Sequence, residues 1–430
     1  MPASPSFSPE PPKSPEQLCA QRSQRIMDAV QLKQPDRIPL MIRLGYLLAE
    51  IGGMTRLDMH QDPERAHAAL VKAALRFQPD NITGPFGSPN PSRALGDRST
   101  KWPGYGLGPD GSFQYIEQEF MKAEDYDDFI EDPADWCIRV YLPRVFGELE
   151  GFELFPPLGF TALGYYGVVP NLNVFNHPKM LKTLQALTQA VQFAAESAAN
   201  MIAGAQQLAA AGFPRDPMSG PILAAPFDFM SDTLRGMRGI FTDLRRQPEK
   251  LLAAEEKASH LMLKHAVAVT AAARADGKMA FANFPLHRGD DNFMSIAQFE
   301  RFYWPQLRQL LLQLIERGIT PTIFYEGVWD KRLKYLTELP KGKTIARFHN
   351  TDIFKAKEII GETACIMGGM PVSLLLGGTA LQVREHTKRL CEVCGKDGGF
   401  IMTTGTAELE GCRPELVEVW ADATREFGVY

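Results

Sequence analysis

Three things are in short supply in this sequence. Cysteine is scarce, with six in 430 residues. That is too few for a disulfide scaffold, and it fits a reduced compartment. A surplus of positive charge is missing: 46 Lys and Arg stand against 51 Asp and Glu, for a net charge of -5. A sequence-independent nucleic-acid binder would need the opposite balance. Long apolar runs are missing too, at a mean hydropathy of -0.18. The longest low-polarity stretch, about Leu181–Ala211, is interrupted by Lys182, Glu196, Asn200 and several glutamines. A membrane span needs ~20 predominantly apolar residues, so a polytopic membrane protein is excluded and the stretch reads as an Ala-rich core helix. What is there, 45% hydrophobic and 23% charged residues, suits a globular protein, which is expected to be cytoplasmic.

Pro and Ser dominate from Met1 to about Pro15. Such a segment buries too little to offset its ordering entropy, so residues 1–18 are expected to be a disordered tail and 19–430 a single domain. Eight short apolar runs follow, mostly bounded by turn residues: Ile38–Leu44, Pro79–Gly84, Ile222–Ala225, Met279–Pro285, Pro321–Tyr325, Thr344–Phe348, Cys365–Gly368 and Phe400–Thr404. Helical patterns separate most of them, among them Pro248–Arg274, Phe299–Arg317 and Ala380–Cys394. Alternating strands and helices imply parallel pairing through right-handed crossovers. Eight strands predict an α/β fold, a (β/α)8 TIM barrel of the kind that reaches this length with insertions. The uneven spacing puts a long insertion, Pro85 to Met218, between the second and third barrel strands.

Catalytic groups in such a barrel stand at the C-terminal ends of strands. That rule selects Arg43 and Tyr46 after the first run, Asp228 after the third, and His287, Arg288 and Asp291 after the fourth. It also selects Tyr325 and Glu326 after the fifth, Arg347 and His349 after the sixth, and Thr403–Thr406 after the eighth. Asp228 suits either a helix cap or a substrate contact. His287, Arg288 and Asp291 suit a clamp for a phenol or carboxylate, or a loop cap. The Cys391/Cys394 pair has no second pair at matching spacing and reads as two ordinary thiols. His260 and His265, five apart, do not share a helix face. Aromatic residues crowd the loops (Phe155, Phe160, Tyr165, Tyr166, Phe175, Phe227, Phe229). An apolar pocket with few polar groups suits a small aromatic ligand.

Several segments, taken in order, resemble the uroporphyrinogen decarboxylase superfamily. They are Arg25-Ile-Met-Asp-Ala-Val with Asp36-Arg37-Ile-Pro39, Asp276-Gly277 leading to Asn283, His287-Arg288-Gly289, Phe302-Tyr-Trp-Pro305, Glu326-Gly327, Leu339-Pro-Lys-Gly342 and Gly368-Gly-Met-Pro371. The resemblance extends over nearly the whole chain after the tail and is greatest to the corrinoid-dependent O-demethylase-like methyltransferases. It implies methyl transfer from an aromatic methyl ether or similar small donor to a cobalamin carried by a partner corrinoid protein, and it allows a homodimer. The decarboxylase itself uses an Arg-rich first-strand loop to hold a polycarboxylate. One arginine, Arg43, stands there, which argues against uroporphyrinogen as substrate.

The resemblance also bears on zinc. Thiol-activating members hold it with His-x-Cys and a later Cys; neither cysteine is present. O-demethylase-like members place Glu and His on the fifth and sixth strands. Glu326 matches the first, while Arg347 aligns with the second and His349 lies two residues on. Glu326 and His349 are therefore the candidate metal ligands. Arg347 could instead act as a fixed positive charge, or pair with Glu326 across adjacent strands. Glu326, His349, Arg347 and His287 are the candidate catalytic residues. Arg43, Tyr46, Asp228, Arg288, Asp291 and Tyr325 are the candidate substrate contacts. Two alternatives remain open: a cofactor-independent decarboxylase or other lyase acting on a small apolar acid, and a non-catalytic ligand-binding barrel.

Overall fold

The computed structural model describes residues 13–84, 87–161, 164–406 and 409–430. Most of the expected tail, and the side chain of Phe160, lie outside the described residues. The chain is α/β with parallel strands that coincide with the apolar runs: β1 (Met41–Arg43), β2 (Asn81–Thr83), β6 (Ala280–Leu286), β7 (Ile319–Tyr325), β8 (Ile345–Phe348), β9 (Cys365–Met370) and β10 (Phe400–Thr404). Strands β10-β9-β8-β7-β6 form one parallel sheet and β1-β2 another. A parallel bridge between Leu40 and Met402 links the two. The third run contributes only a bridge, Ile222 to Asn283, and the Ile222 side chain is 70% exposed. Among the described residues no strand pairing joins that segment to β2. Nearby, Asn81 Nδ2 donates to the carbonyl of Pro214 at 3.0 Å.

The stretch expected to be the insertion contains three strands that the apolar pattern does not predict: β3 (Thr100–Pro103), β4 (Gly106–Leu107) and β5 (Gln114–Tyr115), in the order β4-β3-β5. They are two to four residues long, too short to show a period of two. The Ala-rich stretch is a helix, Pro178–Ala210, but not a core helix. Only a narrow stripe including Met180, Ala186, Ala190 and Leu208 is buried, while Val191 and Met201 are 66% and 65% exposed. Sparse charge signals low solubility of a face, not whether another element covers it. No helix of the described residues is long and apolar enough to cross a membrane.

The first helix, Pro15–Val30, starts inside the segment expected to be a tail. Ser14 and Gln17 close a reciprocal cap there, satisfying two of the free amide donors of the first turn. Its apolar residues Ile26, Ala29 and Val30 pack on Met41, Phe281, Ile345, Cys365, Met367 and Ile401, all side chains of one sheet face. Arg25 and Arg37 converge on Asp80, which is fully buried and also accepts the amide of Leu40 at 2.8 Å. The Arg25–Arg37 motif therefore ties down the end opposite the strand C-termini. The predicted helices are present as Pro248–Val269 with Ala271–Ala275, Trp304–Glu316 after a π-turn at Phe299–Tyr303, and Ala380–Val393. The four cysteines Cys365, Cys391, Cys394 and Cys412 are buried free thiols.

Candidate functional site at the strand C-termini

Register brings the main candidates together. Leu286 pairs with Tyr325, and Tyr325 with Phe348. The next residue on each strand is therefore His287, Glu326 and His349, three neighbours on one rim. Backbone bonds hold Glu326 in place: its amide donates to Leu286 O at 3.1 Å, and the Trp329 indole donates to its carbonyl at 2.7 Å. The chain then turns sharply at Gly327, whose φ is +78°. A Cβ there would lie 2.4 Å from the Asp290 carboxylate, so glycine is required for both conformation and space.

His287 is the best-supported polar group. Its Nδ1 lies 2.6 Å from Asp232 Oδ2, and its Nε2 lies 3.6 Å from Glu326 Oε2. Burial alone would lower its pKa. The Asp232 hydrogen bond and the charges of Asp228, Asp232 and Glu326 outweigh burial and raise it to about 9. The imidazole is thus charged at neutral pH, with Nδ1–H engaged and Nε2–H turned toward the open rim, where 41% of the side chain is exposed. Asp232 is pushed up by burial, but its bonds to His287 and the charge of Arg288 bring it down.

Asp228 works from beneath. It is buried and accepts the amides of His287 (2.9 Å) and Arg288 (3.0 Å) and the hydroxyl of Tyr303 (2.7 Å). It shapes the loop and is no helix cap: no side-chain cap bond is made at its helix. Burial and the Asp232 charge push it up to about 7 despite those donors. Behind it, Glu255 is fully buried, with both carboxylate oxygens unpartnered among the described residues. Burial, with Asp228 nearby, raises the Glu255 pKa well above the carboxylate range.

Arg288 donates to Asp232 at 2.7 Å and Ser231 at 3.2 Å, and pairs with Glu117 of the insertion. The insertion is pinned to the same turn through Tyr115 Oη to Asp232 O at 2.9 Å and Met121 N to Leu234 O at 2.7 Å. It therefore forms one wall of the site, as loops on such scaffolds do.

Other expected residues are placed differently. Asp291 is no donor clamp, because it forms a buried ion pair with Arg332 and accepts the Lys331 amide at 3.0 Å. Tyr325 faces away from the rim. Side chains alternate along a strand, and Tyr325 stacks on Phe348 in the core between sheet and helices. Tyr46 is 3% exposed and accepts the Phe113 amide at 3.3 Å, tying the insertion down. The cross-strand pair of Glu326 and Arg347 is not formed. Arg347 points deeper and donates to the carbonyls of Thr404 (3.3 Å) and Thr406, and its guanidinium lies over the Phe324 ring. His349 Nδ1 accepts the Gly327 amide at 3.2 Å. His349 also lines a cavity of about 490 Å³ together with Asp352, His386 and Thr406.

No group of three His, Cys, Asp or Glu side chains that could hold a metal occurs among the described residues. One nitrogen of His349 is already taken up by a backbone amide. The donor set present does not fit the zinc expected on Glu326 and His349, since such sites use three protein ligands or more.

Sequence reasoning missed Asp232, Tyr303, Glu117 and Glu255. Asp232 had a signal: it stands four residues after Asp228, so the two share one face of a helical turn. Tyr303 lies in the Phe302-Tyr-Trp-Pro305 segment of the resemblance, which gave it no role, and Glu117 and Glu255 are brought in from distant segments with no signal.

Comparison with known proteins agrees with this architecture. A methyltransferase from Methanosarcina mazei shares the fold at a TM-score of 0.57 and 14% identity, over 94% of this chain and 98% of that one. No curated protein matches. The model of the uroporphyrinogen decarboxylase (URO-D) family matches residues 167–427. With more than half its length so matched, the chain belongs to the uroporphyrinogen decarboxylase family.

Proposed function

We propose that this chain is a methyltransferase that removes a methyl group from a methyl ether, an aromatic one by preference, and passes it to a corrinoid on a separate protein. In this reading the strands and the Ile222 segment make up a (β/α)8 barrel, opened between β2 and that segment, with the insertion over its mouth. The observation that carries the reading is the charged His287, held by Asp232 and facing Glu326 on an open rim. When the methyl carbon–oxygen bond breaks, the electron pair stays on oxygen and a proton is needed there. His287 Nε2–H can supply it as a general acid, leaving the Nδ1–H tautomer whose remaining proton Asp232 holds. Glu326 orients that proton and takes part in its return from solvent. Arg288 and Asp228 keep the loop in place. The corrinoid, as co-substrate, accepts the methyl group; the exposure of His287 and Glu326, 41% and 48%, leaves the rim accessible to a large planar molecule.

The test is formation of methylcobalamin from methoxyaromatics by the purified chain with a corrinoid protein under reducing conditions. His287→Gln should slow it by about 10²–10⁴-fold, the usual worth of a general acid. No methylcobalamin from any donor, or an unaffected variant, sinks the proposal. A lyase is the second reading, favoured by Arg43 and Arg347 below a proton donor. It would release carbon dioxide from an acid without added cobalamin. Binding without turnover in either assay would mark a non-catalytic barrel.

A further inference from the structure

One aromatic ring stands beside the His287–Asp232 pair on the side of the insertion. It belongs to Tyr115 on β5, whose strand position is set by antiparallel pairing with Thr100 of β3. The residues that follow fix it further. The Ile116 amide donates to Ser99 O at 2.6 Å, and Glu117 pairs with Arg288 and accepts the Met237 amide. The Tyr115 hydroxyl donates to the carbonyl of Asp232 at 2.9 Å. That carbonyl belongs to the π-turn Phe229–Arg235, a form of helix often found at functional sites. The carboxylate of the same residue lies 2.6 Å from His287 Nδ1. Asp232 therefore joins the tyrosine to the imidazole, by its backbone on one side and its side chain on the other.

Both ends of this side chain are held, yet Tyr115 is 46% exposed. A single exposed aromatic residue is ordinary on a protein surface. Tyr115 differs in two respects. Its hydroxyl is anchored to the residue that holds the imidazole, so the ring stands at the rim where His287 and Glu326 are also open to solvent. Its freedom is also already spent. A mobile side chain loses rotamer entropy when a ligand orders it, whereas a tethered one has little left to lose. The strand at one end and the hydroxyl bond at the other thus present an apolar ring at small entropic cost. The tether is stable to pH. Burial and the charges of Asp232 and Glu117 push the phenol up to about 12, so it remains a donor throughout the working range.

We propose that Tyr115 is the platform on which the ring of the methyl donor packs, and thereby the residue that makes the site prefer aryl over alkyl methyl ethers. The identity of the donor rests on the reading above. Two aromatic rings attract most when offset-stacked or edge-to-face, with centroids about 4.5–7 Å apart. The substituents of a stacked ring lie in its own plane, so its ether oxygen can extend past Tyr115 toward His287. A saturated ring of the same size gains the burial of area but not the attraction between π-systems. The contact is present before and during the reaction alike. Its loss should therefore raise KM for an aryl donor and leave kcat nearly unchanged.

The test is binding of methoxybenzene and of methoxycyclohexane to the full chain, without corrinoid, followed by NMR titration. The two ethers are close in size and share one polar atom; they differ in the π-system. Methoxybenzene should bind about three- to tenfold more tightly. Tyr115→Phe keeps the ring and loses the bond to Asp232, whereas Tyr115→Leu loses both. The preference should survive in the first variant and vanish in the second, which separates the ring from its tether. Equal binding of the two ethers, binding of neither, a preference that persists in Tyr115→Leu, or one lost alike in both variants overturns the proposal. Binding is read without turnover, so the two ideas fail separately. An aryl preference that depends on Tyr115, in a protein that never forms methylcobalamin, upholds the platform and removes the methyl-transfer reading. Methyl transfer without that preference removes the platform alone.

Discussion

Replacing Asp232 by Asn tests the central claim about the site directly. The substitution keeps the shape of the side chain and removes the charge that lies 2.6 Å from His287 Nδ1. His287 stands at about 9 against an ordinary 6.5. Direct contact with an opposite charge moves a pKa by about 1–3. Asp228 and Glu326 remain in the variant, and solvent reaches two-fifths of the ring. We therefore expect a fall of about one to two pH units rather than complete reversion. At pH 8 the unaltered imidazole is about nine-tenths protonated, and a variant near 7.5 about one-quarter. The basic limb of the pH–rate profile should move down with it. Imidazole nitrogen chemical shifts, followed by NMR from pH 5 to 10, give the titration without needing the substrate.

The sign for stability follows from the same shift. His287 binds its proton more tightly in the folded chain, so its stabilising contribution is complete below about pH 6.5 and is lost as pH rises through about 9. The difference in urea stability between the two proteins should shrink across that window. Titration of His287 near 6.5 in the unaltered protein, or at the same pH in both proteins, would refute the account of the site.

Three further predictions concern the frame. Tyr303→Phe removes one of three donors to the buried Asp228 and should cost about 1–3 kcal/mol in urea unfolding; no loss would mean that Asp228 is not held as described. Asp291→Ala strands the buried Arg332 and should cost about 3–5 kcal/mol, while ligand affinity of the folded protein stays unchanged. A selective loss of affinity would instead return Asp291 to the site. Gly405→Ala would put a Cβ 2.5 Å from His349 O. Backbone cannot yield cheaply there, so about 1–3 kcal/mol of destabilisation is expected from calorimetric melting, with the His349 signal displaced.

Much of the frame was legible in the sequence because it rests on local signals. Apolar runs of four to seven residues between turn residues mark β6 to β10, and Asp276-Gly277 and Gly318 mark where helices stop. The strand-end rule then placed His287, Glu326 and His349 on one rim, because in a parallel sheet the residue after each strand falls at a common level. The rule could not tell which way a side chain points. One step of alternation separates Glu326 at the rim from Tyr325 in the core, and Asp291 at the same loop is drawn away by Arg332, forty-one residues on.

By itself, then, the sequence determined the α/β class, the strand positions and the level at which the polar residues gather, since period and turn chemistry are properties of neighbouring residues. Tertiary structure alone decided what those residues do. Asp232, Tyr303 and Glu117 reach His287 and Arg288 across 55, 75 and 171 positions or act through Asp228 between them. Charge and hydrogen bonding depend on distance through space, and that distance is not written in the order of the residues.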